Sequence, residues 1–255
     1  MVIGISALGG CGPRGESITL AGSTAFQPFA EELAEVYMQE NPGVSINVQG
    51  GGSVVGIQSA RVGAADIGMA DMVTLPPEAK ELKSVIVAKD GIAVIVNPVN
   101  KINNLTLSEV RDIFSGKIKN WKEIGGKDGL ITVISREEGS GTRKSFDQLV
   151  LKGTRLCETA LFQNSNGTIR EAVATDPNAI SYLSIGFLSG EIKALKIGGI
   201  PPTNKNVVTG RYKISRPIFF LTKAEPKLLA KNFIAFVLSR KGQKIIEENG
   251  LIKVK

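Results

Sequence analysis

The chain is built from short runs of β-forming residues that alternate with longer segments whose apolar positions recur every three or four residues. Residues 17–21 predict a strand, and the apolar side chains between positions 26 and 37 predict a helix with one buried face. Residues 44–48 alternate apolar and polar side chains, which indicates a half-buried strand. The alternation continues to a long final helix that we expect to begin at Glu225 and Pro226. Such a pattern predicts an α/β layered fold.

Three of the predicted strand-to-helix connections are rich in Gly, Ser and Thr. They are Gly22-Ser23-Thr24-Ala25, Gly50-Gly51-Gly52-Ser53 and Glu137-Glu138-Gly139-Ser140-Gly141-Thr142. Such turns present unpaired backbone N–H groups at a helix N-terminus, where the helix dipole favours an anion. Arg136 precedes the third turn and adds a permanently charged donor fork. A single turn also fits an ordinary capped helix, and Thr24 with Gln27 matches a capping box. Three such turns together indicate an oxyanion site.

Asp71 follows a short apolar segment, residues 65–70, and we expect it at the carboxyl edge of the sheet, where ligands bind in open α/β folds. A carboxylate repels an anion unless that anion can donate a proton to it. Inorganic phosphate carries such a proton at neutral pH, since its second pKa is ~6–7 by analogy with phosphate groups in proteins and both forms present near that pH are protonated. Sulfate carries no proton at neutral pH. If Asp71 lines the pocket, it therefore favours phosphate over sulfate. Taken alone, Asp71 equally fits a helix or turn cap.

Composition narrows the class of protein. The 255 residues suffice for one large domain or two small ones, and 42% hydrophobic with 22% charged content is typical of a globular chain. The net charge of +7 favours anionic ligands in general, without choosing among phosphate, nucleic acid and acidic lipid. Basic residues are scattered and aromatic content is 5%, so nucleic acid is not favoured.

The sequence contains no histidine, which excludes Ser-His-Asp, Cys-His and His-metal chemistry. Its two cysteines, Cys11 and Cys157, lack the spacing of a metal site. A hydrolase such as a phosphatase would need a metal cluster or an activated nucleophile, and the sequence offers neither. We therefore expect no enzymatic activity, no catalytic residue, no metal and no cofactor.

Residues 1–10 are apolar and uncharged and end in Leu8-Gly9-Gly10 before Cys11. The segment is shorter than the ~20 residues that span a bilayer, and it lacks the basic start of a signal peptide. Leu-Gly-Gly-Cys nevertheless resembles the lipobox of bacterial lipoproteins, in which the cysteine is lipidated. We expect residues 1–15 to be part of a signal segment followed by a tether, with Cys11 as the lipidation site. The alternative is a flexible tail with an incidental cysteine.

We expect two lobes, the first containing residues 16–93 and 218–255 and the second containing residues 94–217. The chain would then cross between the lobes twice, near residues 92–96 and 215–218. A ligand held between the lobes would meet loops from both, and closure around it would be a hinge motion.

Several segments resemble, in the same order, the extracytoplasmic phosphate-binding proteins of bacterial high-affinity phosphate ABC importers. They are the three loops above with Phe26-Gln27-Pro28 and Arg143, the segment Ala65-Asp66-Ile67-Gly68-Met69-Ala70-Asp71, residues 107–121, and Asn178-Ala179-Ile180-Ser181-Tyr182. The likeness extends from about residue 17 to the final helix. It implies a two-lobed periplasmic-binding-protein fold of type II that holds one phosphate in the cleft between its lobes.

By motif position, the resemblance implies which residues bind the phosphate. They are Ser23, Thr24, Ala25 through its backbone, Ser53, Asp71, Arg136, Ser140, Gly141 and Thr142. Glu138 stands where the family often has an acidic residue, and we expect it to orient Arg136. The sequence departs from the family pattern at Ala70, where a serine is common, and at Ala25, where a bulkier residue can stand.

The resemblance also implies the partners and the location of the protein. We expect a monomer in the periplasm or on the outer face of the cell membrane, which delivers phosphate to the permease subunits of an ABC transporter. Membrane contact would be made only through a lipid on Cys11. Two alternatives remain open, namely a receptor for another tetrahedral oxyanion such as sulfate, molybdate or tungstate, and a phosphate-sensing or adhesion protein without a transport role.

Overall fold

The computed structural model describes residues 15–254, and strands and helices alternate through them. The strands are β1 (Ser17–Gly22), β2 (Ser45–Gln49), β3 (Ile67–Ala70), β4 (Lys83–Val96), β5 (Asn104–Leu105), β6 (Thr132–Arg136), β7 (Leu161–Gln163), β8 (Ala179–Ser184), β9 (Lys193–Ala194), β10 (Lys196–Ile197) and β11 (Ser215–Thr222). The helices are α1 (Gln27–Glu40), α2 (Ser53–Val62), α3 (Leu107–Phe114), α4 (Gly141–Phe146), α5 (Asn166–Thr175), α6 (Asn204–Val208), α7 (Leu228–Val237) and α8 (Arg240–Glu248). Cys11, the expected lipidation site, lies outside the described residues.

The same parallel arrangement occurs twice. β1 pairs in parallel with β2 and β3, and β6 pairs in parallel with β7 and β8. In each set the first strand lies between the other two, and the connections run through helices, as parallel pairing requires. The carboxyl ends of the central strands β1 and β6 lead directly into the Gly/Ser/Thr-rich turns identified in the sequence.

Two long antiparallel strands join these sets into one sheet. Within the described residues, the strand order is β2-β1-β3-β11-β4-β8-β6-β7, and β9 also pairs with β4. β4 pairs with β11 along its first part and with β8 from Ile92 to Val96. β4 is therefore shared by both halves of the sheet, and β11 lies beside it.

Separate apolar cores form on the two halves. One packs α1, α7 and α8 on the first half and includes Leu33, Phe220 and Phe233. Another lies on the second half, where the rings of Phe146 and Tyr182 stack with centroids 3.9 Å apart. Trp121 belongs to this second core, is 2% exposed, and donates from Nε1 to the carbonyl of Asn178 at 3.0 Å. Trp121 therefore has a structural role in this core.

Several element boundaries differ from the sequence-based expectations. α1 begins at Gln27, with Pro28 in its first turn, and no side-chain capping bond is made at Phe26. The predicted long final helix is two helices, because α7 ends at Val237 and the Ser239 hydroxyl caps the start of α8 by accepting from the Gly242 N–H. The two helices approach closely at this turn, where a Cβ on Gly242 would lie 2.4 Å from the Phe236 carbonyl oxygen. Pro226 precedes the first of these helices instead of opening it. The short helix α6 was not predicted.

Candidate functional site

The three turns meet where strands of both halves end. Ser23 and Thr24 follow β1, Asp71 follows β3, and Arg136 is the last residue of β6. Helix α2 begins at Ser53, and α4 begins after Ser140 and continues into a π-helical turn, Asp147–Leu151. The fold therefore brings helix N-termini from both halves to the carboxyl ends of the strands, as the sequence predicted.

Asp71 is the centre of this arrangement. Its carboxylate accepts from the Ser53 hydroxyl, Oγ to Oδ1 at 2.6 Å, and from the Thr142 hydroxyl, Oγ1 to Oδ2 at 3.1 Å. Ser53 Oγ in turn accepts from the backbone N–H of Asp71 at 3.1 Å. All three residues are at most 2% exposed. A buried carboxylate is thus held by hydroxyls from both halves of the chain.

Glycine at position 141 permits this close approach. A Cβ on Gly141 would lie 2.2 Å from Ser53 Oγ and 2.6 Å from Asp71 Oδ1, so a side chain there would displace the turn. Gly52, with a φ of 90°, adopts a conformation that favours glycine, and a Cβ there would lie 2.8 Å from the Gly139 carbonyl oxygen. The backbones of the second and third turns therefore touch without intervening side chains.

Arg136 reaches from β6 to the first turn. Its Nη2 donates to Thr24 Oγ1 at 3.1 Å and to the Asn164 carbonyl at 3.0 Å, while Nε donates to the Gln163 carbonyl at 3.1 Å. Its side chain is 1% exposed, and Nη1 is buried with no hydrogen-bond partner among the described residues. These contacts hold the guanidinium in place, while the N–H groups of Nη1 have no acceptor among the described residues.

The acidic partner of Arg136 is Glu137, which corrects the expectation for Glu138. Nε and Nη2 of Arg136 donate to the two carboxylate oxygens of Glu137 at 3.1 and 3.0 Å. Glu138 lies at the tip of a turn closed by the Ser140 N–H on the Glu137 carbonyl at 3.1 Å, and its side chain is exposed. The turn points Glu138 towards solvent, so its neighbour makes the bidentate contact instead.

The other expected site residues lie in the same turns with local hydrogen bonds. Ser140 Oγ caps α4 by accepting from the Arg143 N–H at 3.2 Å, and Ser23 Oγ accepts from the Phe26 N–H at 3.1 Å. Ala25 is buried in the first turn. The capping box expected between Thr24 and Gln27 is wrong, because the helix starts later and Arg136 engages the Thr24 hydroxyl.

Sequence reasoning missed two charged residues behind Asp71. Arg216, on β11, is buried, and its Nη2 lies 2.6 Å from Asp71 Oδ2, 2.9 Å from Asp90 Oδ2 and 3.1 Å from Thr142 Oγ1. Asp90 Oδ1 accepts from the Ser184 hydroxyl at 2.9 Å. The available signal was an acidic residue, Asp90, and a basic residue, Arg216, each inside a β-forming segment rich in apolar side chains. Such charged residues are seldom buried without a partner.

Two further observations concern the described part of the chain. Among residues 15–254, no group of three or more His, Cys, Asp or Glu side chains is arranged to hold a metal ion. In the same range, no helix has both the length and the apolar character that crossing a bilayer demands.

Comparison with known proteins bears on this site. A PBP superfamily domain matches residues 10–241. The phosphate-binding protein PstS of Bacillus subtilis is 39% identical over 243 residues, which cover 93% of this chain and 81% of the relative. The chain belongs to the PstS family of phosphate-binding proteins.

Solved structures agree with the PstS assignment. A candidate phosphate ABC transporter substrate-binding protein from Clostridium perfringens, crystallised with bound phosphate, matches with a TM-score of 0.91 and 40% identity over 94% of this chain and 100% of its own. An ABC-type phosphate transport receptor from Vibrio cholerae matches with a TM-score of 0.78 and 36% identity over 92% of this chain and 99% of its own. The expected two-lobed periplasmic-binding-protein fold is confirmed, as is membership of the PstS family.

The buried carboxyl of Asp90 generates a prediction about stability. Burial raises its pKa from 3.8 to about 6, against the opposing effects of Arg216 and of the Ser184 hydroxyl. The folded protein thus binds this proton more tightly than the unfolded chain, so the stabilisation is full below pH ~4 and is lost as pH rises to ~6. Relative to Asp90→Asn, the wild type should lose up to about 3 kcal/mol of unfolding free energy over this range.

Denaturant unfolding in phosphate-free buffers between pH 4 and 7 measures this difference. Glu81→Gln, at an exposed position, is the matched control and should follow the wild-type profile. Parallel profiles for wild type and Asp90→Asn would contradict a raised pKa for the Asp90 carboxyl.

Proposed function

We propose that this protein binds inorganic phosphate outside the cytoplasm and delivers it to the permease of an ABC importer. The observation that carries the proposal is the buried Asp71 carboxylate, which accepts from the hydroxyls of Ser53 and Thr142 at the N-termini of α2 and α4. The PstS relatives and the C. perfringens structure with bound phosphate support it.

Each group would have a distinct role toward the anion. Asp71 would accept a hydrogen bond from the protonated oxygen of hydrogen phosphate. An anion that carries no proton, such as sulfate, could not donate this hydrogen bond. Nη1 of Arg136, buried and without a partner among the described residues, would donate to a phosphate oxygen as a charge-assisted hydrogen bond. The remaining donors would be the hydroxyls of Ser23, Thr24 and Ser140 and the backbone N–H groups of Ala25 and Gly141. Ser53 and Thr142, whose hydroxyls donate to Asp71, would approach the anion beside that carboxylate and could donate to it only by turning away from Asp71.

The two lobes would be residues 16–93 with 218–255 and residues 94–217. This division is supported by the separate apolar cores and by the two strands, β4 and β11, on which the chain passes between the halves of the sheet. Bending of these strands near residues 92–96 and 215–218 would open the site. The contacts between Ser53, Asp71 and Thr142 join the two proposed lobes and would form on closure.

The location and assembly belong to the same proposal. The protein would act in the periplasm or on the outer face of the cell membrane as a monomer, anchored through a lipid on Cys11. It would have no catalytic activity, because the site offers donors and a proton acceptor but no activated nucleophile. A receptor for sulfate, molybdate or tungstate would share the helix N-termini, and Asp71 is the residue that disfavours it.

Titration calorimetry of unfolded, ligand-stripped and refolded protein tests the proposal. We expect one phosphate to bind per chain and sulfate to give no measurable heat at the same concentrations. Binding of sulfate or molybdate in place of phosphate would leave the fold assignment unchanged and would contradict the proposal that the ligand is phosphate. Silence with all three anions would overturn phosphate binding and favour an adhesion protein or a sensor of another ligand.

Replacement of Arg136 should remove most of the affinity. Arg136→Ala deletes charge-assisted hydrogen bonds that contribute about 1.5–3 kcal/mol each, so we expect phosphate affinity to fall at least about 100-fold in calorimetry. Arg211→Ala, at an exposed arginine, is the control and should bind as the wild type does. Unchanged phosphate affinity in folded Arg136→Ala would remove Arg136 from the site.

Replacement of Asp71 should change selectivity more than affinity. In Asp71→Asn an amide takes the place of the carboxylate, and its N–H can donate to an oxygen of sulfate. We expect the ratio of phosphate to sulfate association constants to fall by about tenfold or more, because a buried charge no longer opposes sulfate. Equal losses for both anions would show that Asp71 is not the proton acceptor.

A further inference from the structure

Arg216 connects the site to a second buried carboxylate. Its side chain is fully buried, and a single nitrogen, Nη2, contacts both Asp71 and Asp90. Sheet register brings Arg216 and Asp90 side by side, because the two residues are directly opposite each other on the antiparallel strands β11 and β4. Nε and Nη1 of Arg216 are buried without a partner among the described residues. Nη2 therefore makes the side-chain contacts by which Arg216 joins the two carboxylates and Thr142.

The cation matters because Asp71 is removed from water. A buried carboxylate takes up a proton unless hydrogen bonds or a nearby cation favour its charged form. The hydroxyls of Ser53 and Thr142 supply two hydrogen bonds, and Arg216 supplies the positive charge in contact with Asp71. Arg136, the other buried arginine of the site, directs its contacts to Thr24 and Glu137 instead.

The charge state of Asp71 decides which anions fit. An ionised carboxylate only accepts hydrogen bonds and therefore requires a proton on the ligand. A protonated carboxyl can donate, and a fully ionised tetrahedral oxyanion such as sulfate would then be accepted. Selectivity therefore needs a group that holds Asp71 ionised while an anion binds beside it.

We propose that Arg216 is this group, a specificity-determining positioning residue that keeps Asp71 ionised from behind and so restricts the site to tetrahedral oxyanions that carry a proton. The inference rests on the proposed function. Arg216 acts through Asp71 and Thr142, the two site residues that its Nη2 contacts.

Asp90 competes with Asp71 for the same cation. Both carboxylates contact Nη2, and burial raises the pKa of Asp90 to about 6. The geometry of the two also differs, since Asp90 has one hydroxyl partner, Ser184, whereas Asp71 has two. Without Asp90, Arg216 would pair with Asp71 alone. In this proposal Arg216 therefore increases the selectivity for anions that carry a proton, and Asp90 decreases it.

Calorimetry with phosphate and sulfate on full-length, refolded variants tests the role of Arg216. Arg216→Met should lower the phosphate-to-sulfate ratio of association constants by about tenfold or more, because it removes the cation that contacts the Asp71 carboxylate. Arg216→Lys keeps the charge and should restore most of the ratio. Asp90→Asn should give a ratio at or above that of the wild type. Arg211→Met, at an exposed arginine, is the matched control.

The double variant Asp90→Asn with Arg216→Met removes the paired charges together and tests the idea even if Arg216→Met does not fold. Its ratio should also fall, because Asp71 has lost its cation. A wild-type ratio in either variant that lacks Arg216, or equal losses for both anions, would overturn this role and leave the proposed function intact. Wild-type protein that binds sulfate as tightly as phosphate would overturn both.

Discussion

The buried carboxylate of Asp71 is the interaction on which the arrangement of the site depends. Its partners come from distant parts of the chain: Ser53 from the start of α2, Thr142 from α4 and Arg216 from β11. An ionised group out of water is tolerated only when its charge and lone pairs are satisfied. Because those partners belong to both halves of the sheet, the full set of contacts to Asp71 exists only where the two halves are in contact.

The topology explains why these partners can meet. Each half places a central strand between two parallel neighbours, and each central strand ends in a Gly/Ser/Thr-rich turn before a helix. β4 and β11 connect the halves and carry Asp90 and Arg216 in register at the junction. The strands that join the halves thus also carry the charges behind the site. A hinge at this point would couple opening of the cleft to the contacts of Asp71.

In the proposed mechanism, selection among tetrahedral anions depends on whether the anion carries a proton that Asp71 can accept. Helix N-termini and hydroxyls donate to any oxyanion and do not distinguish phosphate from sulfate. A carboxylate does distinguish them, provided that it stays ionised in a buried place beside an anion. In this interpretation Arg136 supplies attraction and Asp71 supplies discrimination, while Arg216 maintains the charge state on which discrimination depends. Membership of the PstS family is consistent with this division of roles.

The sequence by itself determined the alternation of strands and helices, the three Gly/Ser/Thr-rich turns, and the position of Asp71 at a strand end, because these are encoded in short-range periodicity and turn chemistry. Only the tertiary structure decided which side chains pair. The Thr24 hydroxyl accepts from Arg136 instead of capping α1, and Glu137, not Glu138, pairs with Arg136. Arg216 donates to Asp90, which is 126 residues away in the sequence. Local patterns carry no information about such partners, since a charged side chain is satisfied by whatever the folded chain brings beside it.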